Sequence, residues 1–324
     1  MMVGKRFLIG GALLSGLLFS SVSAADYPER PITLVVGYTP GGGADTVARI
    51  VTEHMSRTLG QPFVIQNKPG AGTTLAAGQV ARAKPDGYTL YVGSAILFGV
   101  DKVLYNSIDY GPDNFTAVTQ WTTAPMILSV NSESAIQTVD DLVEHAKKRP
   151  SGLFVSSSGT GGSPHLATLE FEEKMGVKFT HVPYKGGAQA AQAVVSGEVQ
   201  LTFGTPPSVI PLIQAGRLRG LAVTSEERSS LMPEMPTISE LSIPGYSQSF
   251  WLGLLAPADT DEKVVHALYQ ASVLALKDPE VRRKLALQGN DVKWSESPTE
   301  FGNWAEQNGR YLAELAQRAN LKSH

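Results

Sequence analysis

The residues that could do chemistry in this chain are few. Six histidines stand at 54, 145, 165, 181, 266 and 324, and none falls in an H-E-x-x-H or other tight ligand spacing, which argues against a metal site. No cysteine is present, so a thiolate ligand, a disulfide and a cysteine nucleophile are all excluded. No G-x-S-x-G nucleophile elbow occurs. Ser163 and His165 sit two residues apart and form the one candidate Ser/His pair, but no orienting carboxylate is identifiable beside them. Lys185 in "VPYKGG" could form a Schiff base only if desolvated, and nothing near it in sequence announces that. What remains are two glycine-rich turns, "VVGYTPGGGADTVAR" at 35–49 and "LFVSSSGTGGSPH" at 153–165.

The first turn fails as a nucleotide motif. In G-x-x-x-x-G-K-[ST], Gly37 and Gly42 have the spacing, but Gly43 stands in the lysine position and Ala44 in the hydroxyl position. In G-x-G-x-x-G, Thr46 replaces the third glycine. Glycines still allow φ > 0 and close backbone approach, and the free amides of a helix start suit an anion. Asp45 would repel an anion if it faced the ligand, so it is read as shaping the loop. In the second turn Gly159, Gly161 and Gly162 free the backbone, Ser163 suits an N-cap and Pro164 suits the first helical position. Two such loops facing one cleft predict a small acid held by neutral donors, whereas the bland alternative is two ordinary strand-to-helix turns.

The elements that must position these loops alternate short apolar runs with amphipathic stretches, an α/β pattern. Strands are expected at 32–37, 63–67 and 88–93, with helices at 45–59 and 73–83. A second series follows: strands at 126–131, 153–158, 179–184, 199–204 and 218–224, and helices near 139–148, 164–174, 188–196 and 207–215. A strand at 250–257 and three helical segments ending near Arg318 close the chain and are assigned to the first unit. Crossings near 117–125 and 222–228 would then give a discontinuous first domain, 25–122 plus 226–324, and a second domain, 123–225. Two connections make a hinge and a cleft.

Compartment follows from the N-terminus. Lys5 and Arg6 precede an apolar run from Phe7 to Val22, and Val22, Ser23 and Ala24 place small residues where a signal peptidase reads. The run is shorter than the ~20 residues that span a bilayer, so residues 1–24 are read as a signal peptide, cleaved after Ala24 or Ala25, and the chain as periplasmic. Without residues 1–24 the balance is 25 Lys+Arg against 30 Asp+Glu, or −5, which suggests no nucleic-acid partner. About 300 remaining residues exceed what one core usually serves.

Taken together, "YPERPITLVV", "PGGGADTVAR", "LGQPFVIQNKPGAGTTLAA", "AKPDGYTLYVGS", "SSGTGGSPHLA", "HVPYKGGAQAAQAVVSGEVQLTF", "IQAGRLRGLAVTSEERSSLMPEMPTISE", "PGY" and "WLGLLAPA" resemble the Bug family, in order along the chain. These are periplasmic solute receptors of tripartite tricarboxylate transport systems. The resemblance implies a two-domain α/β fold of the type II periplasmic-binding-protein (Venus flytrap) class. It implies no cofactor and no reaction, and a monomer that grips a small carboxylate through loop amides, hydroxyls and bridging waters before meeting permease subunits or a sensor.

Carried onto this sequence, the binding positions are Thr39, Gly41, Gly42, Gly43 and Ala44, and Ser158, Gly159, Thr160, Gly162, Ser163 and His165, with Ser94 and Tyr184 in further loops. After "LTF", where relatives often carry an acidic or amide residue, this chain has Gly204 and Thr205, which argues against an amino-acid ligand. Of the aromatics near strand ends, Tyr38, Phe98, Trp121, Phe250 and Trp251, at most two are expected to touch ligand. The expected ligand is an aromatic or otherwise apolar-bodied carboxylate, with citrate-like and dicarboxylic acids next. The competing functions are a secreted hydrolase using Ser163 and His165, and a structural periplasmic protein with no saturable ligand.

Overall fold

The computed structural model describes residues 27–105, 107–149, 152–229 and 232–321; the expected signal peptide and its expected cleavage site lie outside the described residues. The chain opens with β1 (Ile32–Val36), α1 (Gly43–Leu59), β2 (Phe63–Asn67), α2 (Thr74–Ala81), β3 (Thr89–Gly93) and α3 (Val100–Leu104). β4 (Phe115–Pro125) leads directly into β5 (Ile127–Asn131). Then come α4 (Val139–Lys148), β6 (Phe154–Ser157), α5 (Ser163–Met175), β7 (Thr180–Pro183) and α6 (Gly187–Val195). β8 (Leu201–Gly204), α7 (Pro206–Gln214), β9 (Leu218–Val223) and α8 (Ile238–Leu241) complete this part. The chain ends with β10 (Ser249–Pro257), α9 (Glu262–Lys277), α10 (Pro279–Leu287), β11 (Asp291–Val292) and α11 (Pro298–Arg318).

These strands form two sheets, ordered β11-β4-β10-β3-β1-β2 and β7-β6-β8-β5-β9. β1 pairs in parallel with both β2 and β3, and β6 pairs in parallel with both β7 and β8. The chain therefore leaves β1 for a neighbour on one side and crosses over to the other side next, and it does the same at β6. In an open α/β sheet, that reversal opens a crevice outside the carboxyl end of the strand. Both glycine loops leave the carboxyl end of such a strand, so topology explains why two sequence-distant turns are equivalent.

Each sheet has its own core. Leu34, Val36, Val47, Val51 and Trp121 are among the fully buried residues of the first, where α1 and α9 pack. Leu128, Val155, Phe171, Leu201 and Phe203 belong to the second. α1 shows why: its buried face, Val47, Ala48, Val51 and Met55, recurs at helical spacing, and burying each large member stabilises by roughly 1.5–3 kcal/mol.

Two expectations change. Residues 117–125 are not merely a crossing: "FTAVTQWTTAP" is an eleven-residue strand paired with β10, and the chain passes to the second lobe only after its end. Ile238, Ile243 and Tyr246 pack in the second core, so the chain returns to the first sheet near Gln248, beyond the expected boundary at 225/226. The helices α9 to α11 pack on the first sheet, as expected of the closing segments. No helix among the described residues is long and apolar enough to cross a membrane.

Candidate functional site

Asp45 sets the shape of the first glycine loop. Its carboxylate, buried at the start of α1, accepts the Gly41 amide at 2.9 Å, Arg49 Nε at 2.9 Å and Nη2 at 3.0 Å, and Asn67 Nδ2 at 2.9 Å. Asp45 thus reaches back to Gly41, not forward to the helix amides. Burial opposes ionisation, but the Arg49, Gly41 and Asn67 hydrogen bonds outweigh it and hold the carboxyl below its usual range. Gly41 needs its φ of +76° for this turn. Gly42 is the N-cap of α1 and contributes no side-chain cap, so the first amides of the helix face the cleft without an internal partner.

The second loop is built differently. Gly162, one residue earlier than expected, is the N-cap of α5, so Ser163 begins the helix and its hydroxyl caps nothing. His165 Nδ1 accepts the Gly161 amide at 3.1 Å, and Ser157 Oγ accepts the Gly159 amide at 3.1 Å. Beneath them His181 Nε2 lies 2.7 Å from Ser157 Oγ. Burial, reinforced by His181, pushes His165 down to about 3, and burial pushes His181 down to about 4, so both rings are neutral at pH 7.

Between the lobes lies a cavity of about 720 Å3. The first lobe lines it with Tyr38, Thr39, Gly42, Gly43 and Ala44, the second with Ser158, Gly159, Thr160, Gly162, Ser163 and Thr205. Four predicted residues stand behind this lining. Gly41 is tied to Asp45, and His165 is buried under the loop. Ser94 is buried with its Oγ 3.5 Å from the Tyr38 hydroxyl, and Tyr184 packs against the apolar cluster around α6. Tyr38 and Phe250 both line the cavity, edge to face with centroids 6.3 Å apart. Trp121 and Trp251 are buried and donate to Ser272 and Asn308, and Phe98 packs on Trp251, so these three are structural.

Sequence reasoning missed several lining residues. The amino ends of α6 and α7 also open onto the cavity through Gly186, Gly187 and Ser208, beside the expected Thr205, and neither helix has a side-chain cap. Gly186 and Gly187 follow a strand as the two recognised loops do, and that signal was available. Ile96, Leu104 and Tyr105 come from the excursion after β3, and Gly289 and Asn290 from the turn after α10. Among the described residues no Lys, Arg, His, Asp or Glu lines this cavity. A larger hollow of about 960 Å3 on the first lobe carries mixed charges, Glu262, Lys263 and Glu306, and shares none of the glycine loops.

This geometry cannot support the hydrolase reading. No hydrogen bond joins Ser163 to His165 among the described residues, and His165 Nδ1 is occupied by the Gly161 amide. Ser157, which does approach a histidine, is fully buried.

Two α/β lobes around a cleft lined by helix amino ends define a periplasmic-binding-protein fold of the type II class. The sequence profile of the tripartite tricarboxylate transporter family receptor matches residues 47–319, and the chain belongs to that family. The protein BugT of Bordetella pertussis is 32% identical over 284 residues, 87% of either chain, which identifies the chain with the Bug receptors. Among solved structures, Rpa4515 of R. palustris with adipate is 34% identical at TM-score 0.81, covering 91% of this chain and 98% of that one. MatC (Rpa3494) of Rhodopseudomonas palustris with bound malate is 32% identical at TM-score 0.77, covering 89% and 99%. The chain is a solute-binding receptor and not an enzyme.

Proposed function

We propose that this receptor works outside the cytoplasm and captures a small organic carboxylate by closing its two lobes, then delivers it to membrane permease subunits or to a sensor. The observation that carries the reading is the cavity lining: hydroxyls and helix-start amides from both lobes, with no Lys, Arg, His, Asp or Glu among the described residues. Amides at a helix start carry partial positive charge and can hold a carboxylate without a salt bridge. An ammonium group would meet no carboxylate there, which disfavours amino acids.

The proposed contacts are Thr39, Gly42, Gly43 and Ala44 in the first lobe and Ser158, Gly159, Thr160, Gly162, Ser163 and Thr205 in the second. Tyr38 and Phe250 flank the ligand body and favour an apolar one, aromatic or aliphatic. The relatives bound to adipate and malate support a carboxylate of this size. Ligand contacts both lobes only when they are closed, so binding shifts the population to the closed state.

A thermal-shift screen of the chain lacking residues 1–24 tests this reading. Dicarboxylates, citrate, benzoate and amino acids are compared at 1 mM. A carboxylate should raise Tm by mass action. Stabilisation by amino acids alone, or by none of the acids, overturns it.

A further inference from the structure

The carboxylate reading accounts for the hydroxyls and amides of the cavity but not for the apolar residues that line it beside them. Ile96, Leu104 and Tyr105 enter from a single excursion between β3 and β4. That excursion is firmly seated. Phe98, Val100 and Leu104 are buried in a cluster with Leu312 and Leu315 of α11. A β-carbon on Gly309 would lie 2.2 Å from that of Phe98, so α11 and the excursion are in close contact. Asp101 is buried and accepts hydrogen bonds from Tyr110 Oη at 3.0 Å and from the Lys102 amide at 2.9 Å.

The end of α3 also reaches the other lobe. A β-carbon on Gly161 would stand 2.3 Å from Leu104 Cδ1, so Leu104 fills the space that this glycine, at φ +75°, leaves open. Tyr105 lies against the first lobe in the same way: a β-carbon on Gly72 would be 2.8 Å from its hydroxyl oxygen. Leu104 is thus held by its own lobe, touches the anion loop of the opposite lobe and lines the cavity.

We infer that Leu104, with Ile96 and Tyr105, forms an apolar stop that sets the length of the ligand's hydrocarbon body. The inference rests on the carboxylate reading and adds its specificity determinant. Leu104 and Ile96 discriminate by methylene count, because a longer body collides with them and a shorter one leaves a void.

Isothermal titration of the straight-chain diacids succinate, adipate and suberate into wild type, Leu104→Ala, Leu104→Met and Ile96→Ala tests this. Leu104→Ala should raise the suberate-to-succinate affinity ratio by about tenfold or more, since a single methylene in an apolar pocket is worth at least about that. Leu104→Met, close in volume, should leave the ratio within about twofold. If Leu104→Ala does not fold, the ratio in Ile96→Ala, whose side chain is only half-buried, decides. A ratio unchanged in every truncation that folds, even with all affinities lowered together, overturns the inference and leaves the carboxylate reading standing. No binding of any acid to wild type, with benzoate and citrate also inert, defeats the carboxylate reading and the inference with it.

Discussion

The imidazole of His165 lies flat on that of His181, with ring centroids 3.6 Å apart and planes 9° from parallel. The pair supports the second glycine loop from below: one ring takes the Gly161 amide and the other meets Ser157 Oγ. Two neutral rings can stack this closely, whereas two imidazolium ions at that distance would repel.

Acid should therefore loosen this lobe early. In the unfolded chain both histidines titrate near 6.5, but in the folded chain His165 is pushed down to about 3 and His181 to about 4. Between those values the unfolded state binds more protons, so stability falls as pH is lowered from about 6.5 towards 4. Thermal melts from pH 7.5 to 4 should show that decline. His181→Phe keeps an aromatic ring in the stack and removes one titrating group, and should flatten the slope by about half. An unchanged slope means the acid sensitivity arises elsewhere.

Asp45 predicts a separate, lower window. Its folded value is depressed, so its contribution is present above the unfolded carboxylate value near 3.9 and lost as pH falls through the folded value. Asp45→Asn should cost about 1–3 kcal/mol at pH 7, since the charge-assisted bonds from Arg49 go while the amide can still serve Gly41. Urea melts of wild type and variant should differ at pH 7 and draw together as the pH is lowered below the unfolded carboxylate value near 3.9. A difference that does not shrink as the pH is lowered assigns the effect to packing and not to charge.

Much of this architecture is legible in the residues. The turns at 39–44 and 158–163 announce themselves because a strand, a glycine cluster and a helix start adjoin in sequence, and the topology merely places them at equivalent strand ends. The 95–105 excursion gives no such signal. Its short helical pieces lack periodicity, and Leu104 reads as any core leucine until Gly161 is seen across the cleft. Asn290 and Gly289 are hidden for the same reason: a β-carbon on Gly289 would be 2.5 Å from Pro206 Cβ of the other lobe, a contact between residues far apart in sequence. β4 was legible in principle, since Phe115, Val118, Trp121 and four threonines are strand formers.

The glycines of the second loop should separate into two classes. Gly161 at φ +75° faces Leu104, so Gly161→Ala combines backbone strain with a clash and should destabilise by about 1–3 kcal/mol or more. Gly162 has φ −69°, and an added β-carbon would meet nothing closer than the Gly159 carbonyl oxygen at 3.5 Å. Gly162→Ala should therefore melt like wild type yet bind its acid about tenfold more weakly, because the methyl group keeps the ligand from the amides. Full affinity for adipate in a folded Gly162→Ala would show that the ligand does not approach this amide.

The two chain segments that join the lobes are pinned by Thr224. Its backbone amide donates to the Met126 carbonyl at 2.9 Å, its hydroxyl accepts the Met126 amide at 2.8 Å and donates to the Gln248 carbonyl, and the Gln248 amide donates to its carbonyl at 2.8 Å. The Gln248 side chain continues to Glu170 of α5, which also accepts the Tyr311 hydroxyl of α11 at 2.6 Å. Thr224→Val leaves the Met126 amide without its hydroxyl partner in a buried site and should cost about 1–3 kcal/mol. Tyr311→Phe is the more informative change, since it severs a tie between lobes at the back of the molecule and leaves the cavity lining intact. Closure must stretch or keep that tie, so its loss should shift the open–closed balance, scaling the affinity for every acid by one factor without changing their order. Small-angle scattering with and without adipate, beside titration of succinate and benzoate, measures both effects. A changed order of preference would place Tyr311 in recognition, and unchanged scattering and affinity would mean the tie has no part in closure.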